Sequence, residues 1–144
     1  MLMDDAAVII APVSGHRELR KLPLPKTALV VETNYLIASV IESPLIASGF
    51  QVVVATDEDE ARTAIATHGF DIAILDFRLQ HGGPEGLVAQ LQVAGIPYVF
   101  CTASSTAEVV EHFPGARVIE KPFGDDMLLF IVTDVIAGAE APRA

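Results

Sequence analysis

The chain has one cysteine, Cys101, no tryptophan, and 9 basic residues in a length of 144. A lone cysteine excludes an internal disulfide framework and suits a reducing compartment. The histidines, His16, His68, His81 and His112, are scattered without metal-ligand spacing. No apolar run approaches the roughly 18–20 residues of a membrane span. Nor is a secretory leader expected: Asp4 and Asp5 stand where a basic start belongs, and the apolar stretch 6–13 is short and holds Pro12. The expectation is a cytoplasmic protein. Against the 9 basic residues stand 19 acids, a formal net charge of −10. The imbalance is uneven, +1 over residues 1–26 and −11 over residues 27–144. A body this acidic repels phosphate backbones and anionic membranes, so neither nucleic acid nor a bilayer is an expected partner. Metal cations and basic partners suit it better.

What the chain does have is core. Hydrophobic residues make up 51%, enough at this length for one domain without metal or disulfide staples. Leu22-Pro23-Leu24-Pro25 is stiff and helix-hostile and marks a boundary. It sets off an N-terminal extension, 1–26, read as a mobile arm in which 6–10 could alternatively form a strand. The main body spans 27–138. Residues 139–144 read as a frayed tail.

Within the body, apolar runs alternate with helical spacing. Strands are expected at 27–32, 51–55, 71–76, 96–102 and 116–120, each a short apolar run. Helices are expected at 35–48, 57–68, 84–93, 104–112 and 125–137. Glycines at 49 and 69 stop the first two, acids crowd the start of the second, and Pro84 opens the third. In the first helix Leu36, Val40, Ile41, Leu45 and Ile46 supply the apolar positions, and Pro44 is expected to kink it. Five strands alternating with five helices predict a parallel sheet covered on both faces. Ligands of such sheets bind beyond the carboxyl ends of the strands. There stand Glu32 and Thr33, Asp76, Thr102, and Glu120-Lys121-Pro122. Two carboxylates, a hydroxyl and an ammonium on one rim suit phosphoryl chemistry beside a divalent cation. A carboxylate can be the nucleophile, and a lysine can pair with the phosphoryl oxygens.

With Val-Val-Glu32-Thr33-Asn34, Ile-Leu-Asp76, Thr102-Ala103 and Glu120-Lys121-Pro122-Phe123 in that order, the chain resembles the receiver domain of bacterial two-component response regulators, the CheY-like family. The resemblance covers about residues 27–138. It implies a flavodoxin-like three-layer α/β sandwich with a five-stranded parallel sheet in order 2-1-3-4-5. It implies that Asp76 accepts a phosphoryl group from a sensor histidine kinase or a phosphotransfer protein. Lys121 would bind that group, Thr102 would hydrogen-bond it, and small Ala103 would leave access. Glu32, Asp76 and the backbone carbonyl of Arg78 would ligate Mg2+.

Three positions depart from the family pattern. Thr33 stands where a second acid usually ligates the metal, and a hydroxyl is a far poorer magnesium ligand, so weak binding is expected. Arg78 places a cation two residues after Asp76, either swung over the pocket onto Asp76 or Glu32, or out in solvent. Val118 replaces the aromatic residue that often reports activation. On the last helix Leu128, Ile131, Val132, Val135 and Ile136 form the core stripe, which leaves Phe130 and Met127 outward. With Val118 they are candidate contacts for a partner or a homodimer on the surface formed by the fourth helix, fifth strand and last helix. The resulting expectation is a stand-alone receiver, not an enzyme, that signals by protein contact. The alternative is a degenerate receiver acting as a phosphorylation-independent interaction module. A hydrolase with an Asp nucleophile is disfavoured because Arg78 holds the place of its acid/base. Cys101 reads as a small core residue, and His81-Gly82-Gly83 as a turn.

Overall fold

The computed structural model describes residues 7–9, 21–23, 25–78, 84–103 and 105–140. His16, the 81–83 turn and residues 141–144 lie outside this set. Ten elements make the body: β3 (Thr27–Val31), α1 (Tyr35–Ala47), β4 (Gln51–Ala55), α2 (Glu58–Thr67), β5 (Ile72–Asp76), α3 (Glu85–Ala94), β6 (Tyr98–Thr102), α4 (Thr106–His112), β7 (Arg117–Glu120) and α5 (Asp125–Glu140). They are preceded by β1 (Ala7–Ile9) and β2 (Lys21–Pro23), which pair antiparallel as a separate sheet. Part of the stretch read as a mobile arm is therefore strand.

The five body strands are all parallel, in order β4-β3-β5-β6-β7. This is the expected 2-1-3-4-5 order counted from β3. Strand side chains alternate between faces. Ala28, Val30, Ile72, Ile74, Val99, Cys101 and Ile119 pack with α1 and α5. Leu29, Val31, Ala73, Leu75 and Phe100 pack with α2, α3 and α4. The helices begin on side-chain caps that satisfy otherwise orphan amides. Asn34 accepts from Leu36 and Ile37 N–H, and Asp57 from Glu60 N–H. Gly95 ends α3 at φ 74°, the left-handed conformation glycine adopts freely.

Two expectations about helix faces are corrected. In α1 the buried residues are Ala38, Ile41, Pro44 and Leu45, while Leu36, Val40 and Ile46 are more than half exposed. The helix is apolar on nearly every side, so spacing alone did not choose its inner face. It continues through Pro44 to Ala47. In α5, Phe130 is half-buried against the core cluster that includes Ala38, Ile41 and Leu45 of α1. Because α5 packs on α1 as well as on the sheet, it buries a wider arc than one stripe.

The last helix also runs to Glu140, into the segment read as a tail. Its Glu140 carboxylate lies 2.5 Å from the Lys26 ammonium, which is buried and also 3.9 Å from Asp71. Among the described residues no helix is long and apolar enough to cross a membrane.

Candidate functional site

Strand parity assembles the site. Residues 28 and 30, 72 and 74, and 119 face α1 and α5. Continued to the strand ends, the same alternation brings Glu32, Asp76 and Lys121 to one side of the sheet. Glu32 follows β3, Asp76 closes β5, and Lys121 follows β7. Thr102 closes β6 one residue after inward-facing Cys101 and is fully buried. Its carbonyl accepts the Lys121 N–H at 2.8 Å, which stitches the ends of β6 and β7 together.

The contacts at this rim are specific. Lys121 Nζ donates to Glu32 Oε1 at 2.9 Å, and Glu32 Oε2 accepts the Asn34 amide at 3.1 Å. The Glu32 side chain is only 3% exposed and that of Lys121 16%. Lysine thus lies against the first carboxylate. Asp76 Oδ1 accepts the Arg78 backbone N–H at 3.1 Å, and Glu32 is near enough for its charge to act on Asp76. Burial pushes the Asp76 carboxyl above its ordinary range, and the Glu32 charge adds to that. The Arg78 amide and the Lys121 charge act in the other direction. For Lys121, burial opposes the charged form. The Glu32 hydrogen bond and the neighbouring acids outweigh it and raise the ammonium's pKa. Lys121 with Pro122 and Phe123 also borders a cavity of about 390 Å3, completed by Ile37, Val40 and Ala103.

The remaining candidates are placed as follows. Thr33 is half-buried next to Glu32. Arg78 is not swung onto Asp76 or Glu32 but lies outward, its side chain 62% exposed, and there its Nη2 pairs with both carboxylate oxygens of Glu108 on α4 at 2.9 Å, with the guanidinium 5.9 Å from the Phe77 ring centre. Val118 and Met127 line a groove of about 460 Å3 between α4 and α5, with Thr106, Glu120 and Ile131. Phe130 is not part of that lining, since it packs inward. Cys101 is buried beneath the rim, its thiol pushed up to about 12 chiefly by burial.

Sequence reasoning missed Glu108, and it placed Glu120 on the rim without its partner. Glu120 accepts from both the amide and the hydroxyl of Thr106 at the start of α4, which holds its carboxyl below the usual range. It also missed the exposed apolar side of α1 beside the cavity, where Tyr35, Leu36 and Val40 stand. The signal was the surplus of apolar positions on that helix.

The donor set can be tested against a divalent cation. Among the described residues there is no group of three or more His, Cys, Asp or Glu that could hold a metal. Magnesium, however, is commonly held by one or two carboxylates with water completing the shell. Asp76, the Arg78 carbonyl and Glu32 meet that minimum, with Glu32 already engaged by Lys121.

A doubly wound parallel sheet with acid, acid and lysine at its strand ends defines a class of α/β domains with a polar site at the carboxyl edge of the sheet. Comparison with known proteins narrows the class. The response regulator receiver domain family matches residues 28–133, and the chain belongs to that family. The transcriptional regulatory protein DltR of Streptococcus agalactiae is 35% identical over 106 residues, 70% of this chain and 47% of that protein. A probable transcriptional regulator, ycf29, of Pyropia yezoensis is 28% identical over 76% of this chain and 52% of its own length. The chain thus spans about half the length of these curated relatives. As they are transcriptional regulators, the expectation that nucleic acid plays no part has no support beyond this acidic body. Among solved structures, the receiver domain of the Francisella response regulator 1452 superposes with a TM-score of 0.70 at 25% identity, over 80% of this chain and 99% of that one. A CheY-like receiver domain protein of Methanospirillum hungatei gives 0.72 at 24% identity, over 81% and 98%. The receiver domain of a Pseudomonas aeruginosa sensor histidine kinase, solved with magnesium in its active-site cleft, shares the fold at 0.70 and 22% identity, over 79% and 99%.

Proposed function

We propose that Asp76 is the phosphoacceptor of a two-component phosphorelay, charged by a histidine kinase or a phosphotransfer protein, and that the chain passes the signal on by protein contact. The observation that carries this reading is the convergence of a desolvated Asp76 with Glu32 and a charged Lys121 at the strand ends. In the transfer, an Asp76 oxygen forms a bond to phosphorus as the donor's P–N bond breaks, and that bond's electron pair stays on the imidazole. Removing the carboxylate from water favours its use as a nucleophile. The Lys121 ammonium would exchange Glu32 for the oxygens of the acyl phosphate, and Thr102 would hydrogen-bond them. Magnesium, held weakly by Asp76, the Arg78 carbonyl and Glu32, would offset negative charge at phosphorus. The groove lined by Val118 and Met127 is our candidate surface for a partner or a second copy.

Thr33 and the engaged Lys121 also favour a second reading, a receiver that works as an interaction module without phosphorylation. Acetyl phosphate with magnesium separates the two. We expect mass spectrometry to show one added phosphoryl group, absent from Asp76→Asn. No adduct, together with unmoved NMR shifts in beryllofluoride, would overturn the first reading in favour of the second.

A further inference from the structure

Helix α4 has seven residues and buries one of them, Val109, so packing alone anchors it lightly. It is tied to the site by polar contacts from both sides. At its start, Thr106 donates through its amide and hydroxyl to Glu120, the residue before Lys121. Two residues on, Glu108 accepts Arg78 Nη2 on both carboxylate oxygens. Arg78 is the residue whose backbone amide meets Asp76 Oδ1. Between Asp76 and Arg78 lies Phe77, buried, with its ring edge-on to Phe100, Phe113 and His112. The Arg78 backbone is therefore held on one side by a buried aromatic ring and on the other by its own side chain, whose partner sits thirty positions later in the chain.

We propose that Glu108 is a positioning residue for Asp76: by holding the Arg78 guanidinium it fixes the backbone amide that Arg78 donates to the acceptor carboxylate. The proposal rests on the reading of Asp76 as the acceptor only for its consequence in phosphorylation. The hydrogen-bond geometry stands independently of it. Coupling of this kind is reciprocal. Whatever binds α4 and alters Glu108 changes the amide presented to Asp76. A phosphoryl group on Asp76 that recruits the same amide pulls on Glu108 and α4. Val118, in the place of the family's reporting aromatic residue, makes none of the contacts just described, so this route does not need it.

The test uses the full chain and the near-isosteric variant Glu108→Gln, with Glu111→Gln on the same helix as control. In metal-free buffer the Arg78 backbone amide is followed by NMR for chemical shift and hydrogen exchange. Glu108→Gln is expected to shift it and to speed its exchange about two- to five-fold, the range an exposed ion pair supports. Glu108→Asp, which keeps the charge, retains part of the protection. Phosphorylation by acetyl phosphate then slows by a similar factor in kcat with KM unchanged. An Arg78 amide left as in the wild type by Glu108→Gln, or moved equally by Glu111→Gln, overturns the proposal. Failure of wild-type Asp76 to accept a phosphoryl group would overturn the acceptor reading instead, and the amide measurement would still decide the positioning role.

Discussion

Replacing Lys121 by methionine removes one charge from a buried set of three and keeps most of the stem. Glu32, 3% exposed at its side chain, would lose the 2.9 Å ammonium and keep only the 3.1 Å amide of Asn34. The local charge would go from −1, with Glu32 and Asp76 against Lys121, to −2 on two neighbouring carboxyl groups. Breaking a buried pair by removing one partner costs about 3–5 kcal/mol. Lys121 is 16% exposed, so water relieves part of this and the low end, about 3 kcal/mol, is expected. For a domain of this size that corresponds to about 6–12 °C in Tm. The deficit should shrink on acidification, because Asp76, whose carboxyl burial already pushes above its ordinary range, takes up a proton and does part of the work of the ammonium. Urea unfolding in EDTA at pH 8 and pH 5 measures both effects. The double variant Glu32→Gln/Lys121→Met should recover most of the loss, since no buried charge is then orphaned. A Lys121→Met protein within about 0.5 kcal/mol of wild type at pH 8, the range of ordinary surface substitutions, would refute the reasoning. So would a double variant as unstable as the single one.

Three further outcomes are expected. Burial pushes Asp76 above its ordinary 3.8, so its ionised form costs stability. Asp76→Asn should therefore be the more stable protein at neutral pH in metal-free denaturant melts. Its advantage should fade as pH falls through the raised folded value toward 3.8, because the folded state then holds the proton more tightly than the unfolded one. Cys101, buried and with its thiol at about 12, should react with a thiol reagent at pH 8 only at the rate of opening. Immediate labelling would contradict its placement. Phe130→Ala should cost about 2 kcal/mol by thermal melt, roughly half the fully buried range, whereas Met127→Ala should stay within the surface range.

The fold was legible because each strand's run of apolar residues ended at a polar one, and glycines or capping residues framed several helices. The rim was legible for the same reason: Glu32 and Asp76 are the polar residues on which two of those runs stop, and Lys121 follows the Glu120 that stops a third. The partners chosen there were not. Lys121 lies on Glu32, a residue 89 positions away, and Arg78 on Glu108, 30 positions away. Neither choice follows from local spacing, because both depend on which strand ends and helix starts are adjacent. The faces of α1 and α5 were ambiguous for another reason. In Tyr35–Ala47 apolar residues fall on nearly every side, so burial is settled by the neighbours the helix acquires. For α5 one neighbour is α1, and Phe130 lies against the core the two helices share with the sheet.

Thr33 takes on a different meaning once the geometry of Lys121 is known. An acid at position 33 would make three carboxyl groups against one ammonium, a local charge of −2 that calls for a cation. With threonine there, the Lys121–Glu32 pair cancels and Asp76 alone is left, already pushed toward its protonated form by burial. The site therefore carries most of its own neutralisation, in a body otherwise short of basic residues. Magnesium binding must compete with a 2.9 Å internal bond at Glu32, so Thr33→Asp alone restores a ligand without freeing Glu32. A magnesium titration followed at the Arg78 amide should show Thr33→Asp tightening binding by at least about tenfold, the worth of one added carboxylate ligand after screening. Unchanged affinity would place the limit at Lys121 and Glu32 rather than at position 33.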